Sequence, residues 1–302
     1  MLSICIPIYN FDVTTLVKSL HDEAETLPVE YEILLSDNAS NENFRKENSV
    51  LSTLPNVRYF QSEINLERAG NRNFLFKTAK FPYILFMDCD SQVSKNDYLR
   101  DFLPYCKPGS ICSGGRIYFS EKPQDAKQIF HWKVGCQRES RPAQVRARNP
   151  NNSFMSCNFL IDKHIFNIVQ FDERLKGYCN EDTLFGIELK KKGITIAHID
   201  NPLYHIGLEK AEVFLSKIEE GLRNYHKINY LYNNDPVFIE SCKILRVERR
   251  LKKWRLAKCF KFLFILTKNV MYRNLVSKNP SMLAYDLYKL GYLCYCADFE
   301  IK

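Results

Sequence analysis

Asp88 and Asp90 are separated by a single cysteine and follow the apolar run Tyr83-Ile84-Leu85-Phe86-Met87. On an extended segment, residues two apart project to the same side, so both carboxylates can face one ligand. Hard divalent cations such as Mg²⁺ and Mn²⁺ take carboxylate oxygens and commonly complete their shells with substrate phosphates. The same tripeptide serves equally well as a turn in which Asp88 caps the next segment, and short patterns alone give many false positives. Residues of matching chemistry lie on either side of it. Asp37, in Ser36-Asp37-Asn38-Ala39-Ser40, can accept hydrogen bonds from a base or ribose, or build an Asx turn. Arg68 and Arg72 stand one helical turn apart beside Gly70. Basic side chains at a helix start favour a phosphate, although a solvated face is the better reading for Arg68. Glu181 and Asp182 open a helix; one of them suits a general base for an acceptor hydroxyl, and the plainer role is to favour the helix dipole. Adjacent helical positions diverge by about 100°, so only one of the pair faces a cleft. His205 is a lone histidine, more often a structural hydrogen-bonder than a metal ligand, and His198 reads as structural.

The elements that must position these residues alternate between strand and helix. Leu2–Ile8, Tyr31–Leu35, Asn56–Phe60 and Tyr83–Met87 are short apolar runs, and helical spacing marks Val13–Leu20 and Arg68–Ala79. Such alternation predicts an α/β fold with a mostly parallel sheet flanked by helices. Ligands bind such sheets at the carboxyl ends of the strands. Three of the four strand ends carry suitable polar residues: Tyr9-Asn10, Asp37-Asn38 and Asp88–Asp90. Shorter strands follow at 111–112, 116–119 and 158–161. Arg138 to Asn152 is rich in Arg, Asn and Pro and reads as a mobile loop. Glu181–Lys192 reads as a helix closed by Gly193, Thr195–Ile199 as a strand, and a long amphipathic helix begins near Lys210.

A chain of 302 residues with 45% hydrophobic and 26% charged residues is long enough for one large domain or a domain with an appendage. Its start does not read as a signal peptide, and no apolar run approaches the ~18 residues of a membrane span. Eleven scattered cysteines without close CxxC pairs fit a reduced compartment better than a disulfide framework or a zinc site. These features predict a cytoplasmic protein. Between Lys243 and Lys278, twelve basic residues face Glu248 alone, a local charge of +11 in a chain of +8. Basic residues interleaved with Leu245, Trp254, Phe260 and Phe262–Leu266 predict that 243–276 lies on an anionic membrane surface, placing the protein peripherally on the inner face of the cell membrane. The plainer alternative is a helical subdomain packed on the rest. No nucleic-acid-binding motif accompanies the charge, so no nucleic-acid partner is expected.

Together, Ser3–Asn10, Ser36–Ser40, Arg68-Ala69-Gly70-Asn71-Arg72-Asn73, Asp88-Cys89-Asp90 and Asn180-Glu181-Asp182 resemble, in order and spacing, the non-processive bacterial members of glycosyltransferase family 2. The resemblance covers residues 1–210 and implies a GT-A catalytic domain there, leaving 211–302 as a helical, basic C-terminal region. It also implies a nucleotide-diphospho-sugar donor (most often a UDP-sugar), Mn²⁺ or Mg²⁺, and transfer with inversion to a saccharide or lipid-linked acceptor. By this resemblance Pro7, Tyr9 and Asp37 hold the nucleoside, and Arg72 lies near the diphosphate. Asp88 and Asp90 form the metal motif, with Asp90 the direct ligand and His205 completing the site. Asp182 matches the catalytic base; Glu181 beside it belongs to the donor-binding set, and Asn158 lines the sugar and acceptor pocket. Asn38 and Asn71 depart from the common pattern, and no Gln-x-x-Arg-Trp is present, so one sugar is expected per encounter. A nucleotidyltransferase is the alternative enzyme, but Ile8–Asp12 is not the glycine-rich basic loop such enzymes carry. A non-catalytic membrane- or partner-binding module is the alternative outside enzymes.

Overall fold

The protein is described by a computed structural model covering residues 1–178 and 180–297. It divides into two compact units. One comprises 1–118, 140–176 and 181–207; the other comprises 119–139, 177–180 and the chain from 208 onward. The second unit therefore takes in 119–139, 177–180 and 208–210 from inside the span 1–210.

The first unit opens with β1 (Leu2–Ile8), α1 (Thr14–Glu25), β2 (Tyr31–Asn38), α2 (Glu42–Ser49), β3 (Val57–Ser62), α3 (Glu67–Thr78) and β4 (Tyr83–Met87). There follow β5 (Ser91–Val93), β6 (Ile111–Ser113), β7 (Arg116–Ile117), α4 (Ile129–Val134, in the second unit), α5 (Ala143–Arg146), β8 (Asn158–Asp162), α6 (Lys163–Ile168), α7 (Glu181–Lys191), β9 (Ala197–His198) and β10 (Leu203–His205). A seven-stranded sheet runs β3-β2-β1-β4-β8-β6-β9, parallel except that β8 opposes both its neighbours. A small second sheet runs β5-β10-β7. The central strands are buried on both faces, which is why they read as unbroken apolar runs rather than as alternating ones. Ile4, Ile6 and Ile8 pack with Leu16, Val17 and Leu20 of α1. Cys5, Leu34 and Phe86 pack with Leu75 and Phe76 of α3 and with Phe159, Phe166, Phe171 and Phe185. Phe86 stacks on Phe159 at 5.0 Å and Phe171 on Phe185 at 4.5 Å, so one aromatic layer carries α3 and α7 on the same face of the sheet.

The stretch from Arg138 to Asn152, expected to be a mobile loop, is instead built from helical turns, among them α5. Its anchor is polar rather than apolar. The buried Arg146 guanidinium donates to the carbonyls of Ser113 and Gly114 at 3.0 Å and of Ile199 at 2.7 Å, while His198 contacts Arg146 and the Pro150 carbonyl in a structural role. An apolar-periodicity reading misses an anchor of this kind.

The second unit is helical: α4, α8 (Ala211–Leu231), α9 (Pro236–Ser241), α10 (Lys243–Lys253), α11 (Ala257–Leu275) and α12 (Met282–Cys296). Phe264 of α11 lies against Tyr288 and Tyr292 of α12, with Gly291 leaving room for its ring. Among the described residues no helix is long and apolar enough to cross a membrane, and no disulfide forms among the described cysteines.

Candidate active site

The carboxyl ends of β1, β2 and β4 bring their loops together. Asn10, in the left-handed region at φ 49°, donates its N–H to Ser40 Oγ at 2.8 Å and accepts from Asn41 N at 2.8 Å, so the loops after β1 and β2 are tied to one another. Pro7 lies in β1 beside Ser36. Tyr9, 54% exposed, is left as a ring open to solvent at the rim. Asp37 is fully buried. It accepts from Ser40 N at 2.8 Å and from the Tyr59 hydroxyl at 3.0 Å, with Arg45 Nε 3.7 Å away, so its side chain holds the loop that follows β2. Burial and the Asp37 charge push the Tyr59 hydroxyl well up. Asn38 accepts from Leu66 N at 2.6 Å and donates to Asn65 Oδ1 at 2.7 Å. The departure at this position thus joins the end of β2 to the start of α3.

Asp88 and Glu181 organise three arginines. Arg72, 2% exposed, donates from Nη2 to Asp88 Oδ1 at 2.7 Å, lies 3.4 Å from Glu181 Oε1 through Nη1, and sits over the Phe171 ring. Arg116 donates to the other Asp88 oxygen at 2.8 Å. Arg68 contacts Glu181 Oε1 at 3.0 Å and stands 3.9 Å from Asp88, so it belongs to the cluster while its side chain stays 40% exposed. Burial alone would raise Asp88, but Arg72, Arg116 and Arg68 outweigh it and hold the carboxyl below its ordinary value. Charge-assisted pairs of this geometry are the strong ones. Asp88 is thus the anchor of the arginines, with both of its oxygens engaged by guanidinium groups.

Asp90 differs. Its backbone carbonyl accepts from Ile206 N at 2.9 Å, His205 Nδ1 lies 3.4 Å from Oδ1, and the buried Oδ1 has no hydrogen-bond partner within the protein. Burial works against the charged form, but His205, Arg116 and Arg68 prevail and keep Asp90 ionised far below the usual range. Gly207 completes the recess: a Cβ there would lie 2.7 Å from Asp90 Cβ and Oδ2. An ionised carboxylate with an unsatisfied oxygen beside an imidazole fits a divalent cation. Among the described residues no three His, Cys, Asp or Glu side chains converge to hold a metal by themselves, so the remaining positions of a cation here would fall to water or to a bound ligand.

Asp182 stands in the first turn of α7 and accepts from Thr183 N at 2.6 Å. Burial, then the neighbouring Glu181 charge, push its carboxyl up to about 6, in the range suited to a general base near neutral pH. Asn158 is fully buried. It accepts from Tyr98 at 2.7 Å and donates to the carbonyls of Gly115 and Asn201 at 2.9 Å, which commits its amide to the protein and fixes the backbone next to Arg116. Arg116 was the residue missed from the sequence. The available signal was Gly114-Gly115 before it: a Cβ on Gly114 would collide with Asn201 and Asn158, and Gly115 has φ +87°.

A mostly parallel sheet with an acid and arginine cluster at its strand ends is the arrangement expected of a GT-A glycosyltransferase. The chain belongs to glycosyl transferase family 2, whose family model matches residues 3–167. In fold it is similar to TarS 1-349 of S. aureus in complex with UDP-GlcNAc, at 16% identity and TM-score 0.51, covering 97% of this chain and 89% of that one. It is also similar to the mannosyltransferase PcManGT from Pyrobaculum calidifontis in complex with GDP-Man and Mn²⁺, at 12% identity and TM-score 0.56, covering 100% of this chain and 88% of that one. At these identities the likeness is one of fold. No curated protein matches the chain.

Proposed function

We propose that the chain moves a sugar from a nucleotide-diphospho-sugar to a saccharide or lipid-linked hydroxyl, with inversion and with Mn²⁺ or Mg²⁺ bound. The observation that carries this reading is a single constellation: Arg68, Arg72 and Arg116 gathered by Asp88 and Glu181, next to Asp182 at about 6. The compounds in complex with the two structural relatives, UDP-GlcNAc and GDP-Man, are both nucleoside diphosphate sugars, which supports the donor class; a UDP-sugar is the first choice. Pro7, Tyr9 and the loop held by Asp37 receive the nucleoside. Arg72, Arg116 and Arg68 face the diphosphate and offset the charge that grows on the departing phosphate. Asp90 and His205 would hold the cation, which when bound supplies Lewis-acid stabilisation of that phosphate. Asp182 accepts the proton of the acceptor hydroxyl as its oxygen attacks the anomeric carbon from the face opposite the leaving group. Asn158 acts from behind, by positioning Arg116. The basic segment 243–276 meets an anionic membrane surface in this reading.

The test is a thermal-shift screen of UDP-, GDP- and other nucleotide-sugars with and without Mn²⁺, followed by donor hydrolysis for each binder. A bound donor at 100 times its Kd stabilises the fold by about 2.7 kcal/mol. Stabilisation by a nucleotide-sugar and its slow hydrolysis are expected; stabilisation by none would defeat the proposal.

A further inference from the structure

Helix α11 has two working faces, and only one of them is covered. Phe264 and Leu275 are buried, and Phe264 packs on Tyr288, Tyr292 and Tyr295 of α12. Most of the other side lies open. Phe262, Leu263, Leu266 and Val270 are 61%, 55%, 62% and 70% exposed. At 100° per residue these four fall within one strip about 100° wide, roughly opposite Phe264. Trp254 and Leu256, just before the helix, are exposed as well. Single exposed apolar residues need no explanation, whereas a contiguous strip of this kind marks an interaction surface.

Charge selects the occupant. Helix α11 contains no acidic residue. Lys258 and Arg273 lie exposed beyond the two ends of the strip, and Arg249, Arg250, Lys252, Lys253 and Arg255 precede the helix. The one acid of this region, Glu248, is buried and engaged with Lys252 at 2.7 Å. A second copy of the chain meeting this face symmetrically would set two such basic segments against one another, which like-charge repulsion disfavours. Stacked bases of a nucleic acid would leave Leu263, Leu266 and Val270 without a matching partner. An anionic bilayer offers both components: phosphate headgroups for the cations and an acyl boundary for the strip. Trp254 and the basic stems suit the interfacial zone between them. The helix is too polar to cross, so it lies in the plane.

We infer that the outer face of α11, formed by Phe262, Leu263, Leu266 and Val270 and flanked by Lys258 and Arg273, is a docking surface for an anionic lipid bilayer. The inference rests on the membrane partner of the reading above and not on its chemistry, and a vesicle assay without donor keeps the two separate. The full chain is mixed with vesicles of phosphatidylcholine alone or with about 30% phosphatidylglycerol, and the bound fraction is measured by flotation at low and high salt. The expected result is binding to the anionic vesicles alone, weakened at least tenfold by salt. Leu266→Glu should weaken it at least tenfold and Lys258→Glu with Arg273→Glu should abolish the preference for anionic lipid, each with unchanged thermal unfolding. Phe262→Ser provides an independent variant of the strip. Equal binding to both vesicle types, full binding by Leu266→Glu and Phe262→Ser, a concentration-dependent dimer lost in Leu266→Glu with no vesicle binding, or binding to single-stranded RNA in place of vesicles would each overturn the inference.

Discussion

Replacing Glu181 with Gln tests the catalytic assignment through the neighbour rather than through the base itself. Asp182 is raised to about 6 first by burial and second by the Glu181 charge, against the opposing pull of the Thr183 N–H, Arg68 and Arg72. A base acts only when deprotonated, so the rate falls on the acid side of that value, to about a tenth of its plateau one unit below. Gln at 181 keeps the shape and removes the like charge. It also releases Arg68 and Arg72, which contact Glu181 at 3.0 and 3.4 Å, and their fuller effect on Asp182 has the same sign. One pKa unit corresponds to about 1.4 kcal/mol, well within what a like charge on the adjacent residue supplies at an effective dielectric of about 20. The acid limb of kcat/KM should therefore move down by about one unit, and activity near pH 5 should recover from about a tenth to about half of the plateau. It should not fall to the value of a free carboxyl, because burial remains. The profile is measured at saturating metal between about pH 4.5 and 8, with Asp182→Asn as reference; that variant should lose about 10²–10⁴ in kcat while binding donor. A limb that stays in place or moves up in Glu181→Gln, or a pH-dependent rate that survives in Asp182→Asn, would refute the assignment.

Other substitutions separate the parts of the site. Gly207→Ala puts a methyl 2.7 Å from Asp90 Cβ and Oδ2, so it should displace Asp90, lower the unfolding midpoint and raise the Mn²⁺ concentration needed for turnover about tenfold or more; an unchanged metal titration would show that Asp90 is not the ligand. Arg72→Met removes a buried guanidinium between Asp88 and Glu181. Because Arg116 and Arg68 remain, the loss should lie near the lower end of the ~3–5 kcal/mol typical of a broken buried pair, read by urea unfolding. Asn158→Ala leaves the Gly115 and Asn201 carbonyls and the Tyr98 hydroxyl without their shared partner and should cost about 1–3 kcal/mol. Its donor affinity should fall through Arg116, so Arg116→Gln added to it should bring less than the sum of the two losses; full additivity would break that link.

The core of the fold was legible because its strands are buried on both faces. Tyr83–Met87 is β4 residue for residue, and Leu2–Ile8 is β1. Helix α2 was not legible: within Glu42–Ser49 only Asn48 is buried, so it shows almost no apolar period. Strand β2 runs on to Asn38 past the apolar run because Ser36, Asp37 and Asn38 are buried by hydrogen bonds and not by hydrophobicity. The site was legible as far as local chemistry carries. Residue type and the ends of elements picked out the pairs Asp88 and Asp90, Arg68 and Arg72, and Glu181 and Asp182, while the choice within each pair came from the resemblance to glycosyltransferase family 2. Their grouping could not be read this way, since Arg72 and Glu181 are 109 positions apart. Arg68 read as solvated because its partner, Glu181, comes from another helix, and Arg116 had only the two glycines before it.

The charges at the strand ends bear on the cation independently of any ligand pattern. Arg68, Arg72 and Arg116 face Asp88, Asp90 and Glu181, so the cluster is balanced before Asp182 ionises. A nucleotide-sugar brings about two further negative charges, and each like-charge contact near 4 Å costs about 4 kcal/mol at an effective dielectric of 20. One way to relieve this is for the arginines to leave their carboxylates for the phosphates. That would strand Asp88 and Glu181 as buried, unpaired acids, at a cost of several kcal/mol. The other is for a divalent cation to enter with the donor beside Asp90, whose Oδ1 has His205 Nδ1 at 3.4 Å but no well-formed hydrogen bond. The arginine pairs then stay intact, and each guanidinium still has N–H groups to offer the phosphates. On this account Asp88 is taken up by the arginines, while Asp90 is the carboxylate with an oxygen left to offer a cation. Residues two apart on an extended segment face the same way whichever cation they meet, and that is why their spacing alone suggested a single shared ion.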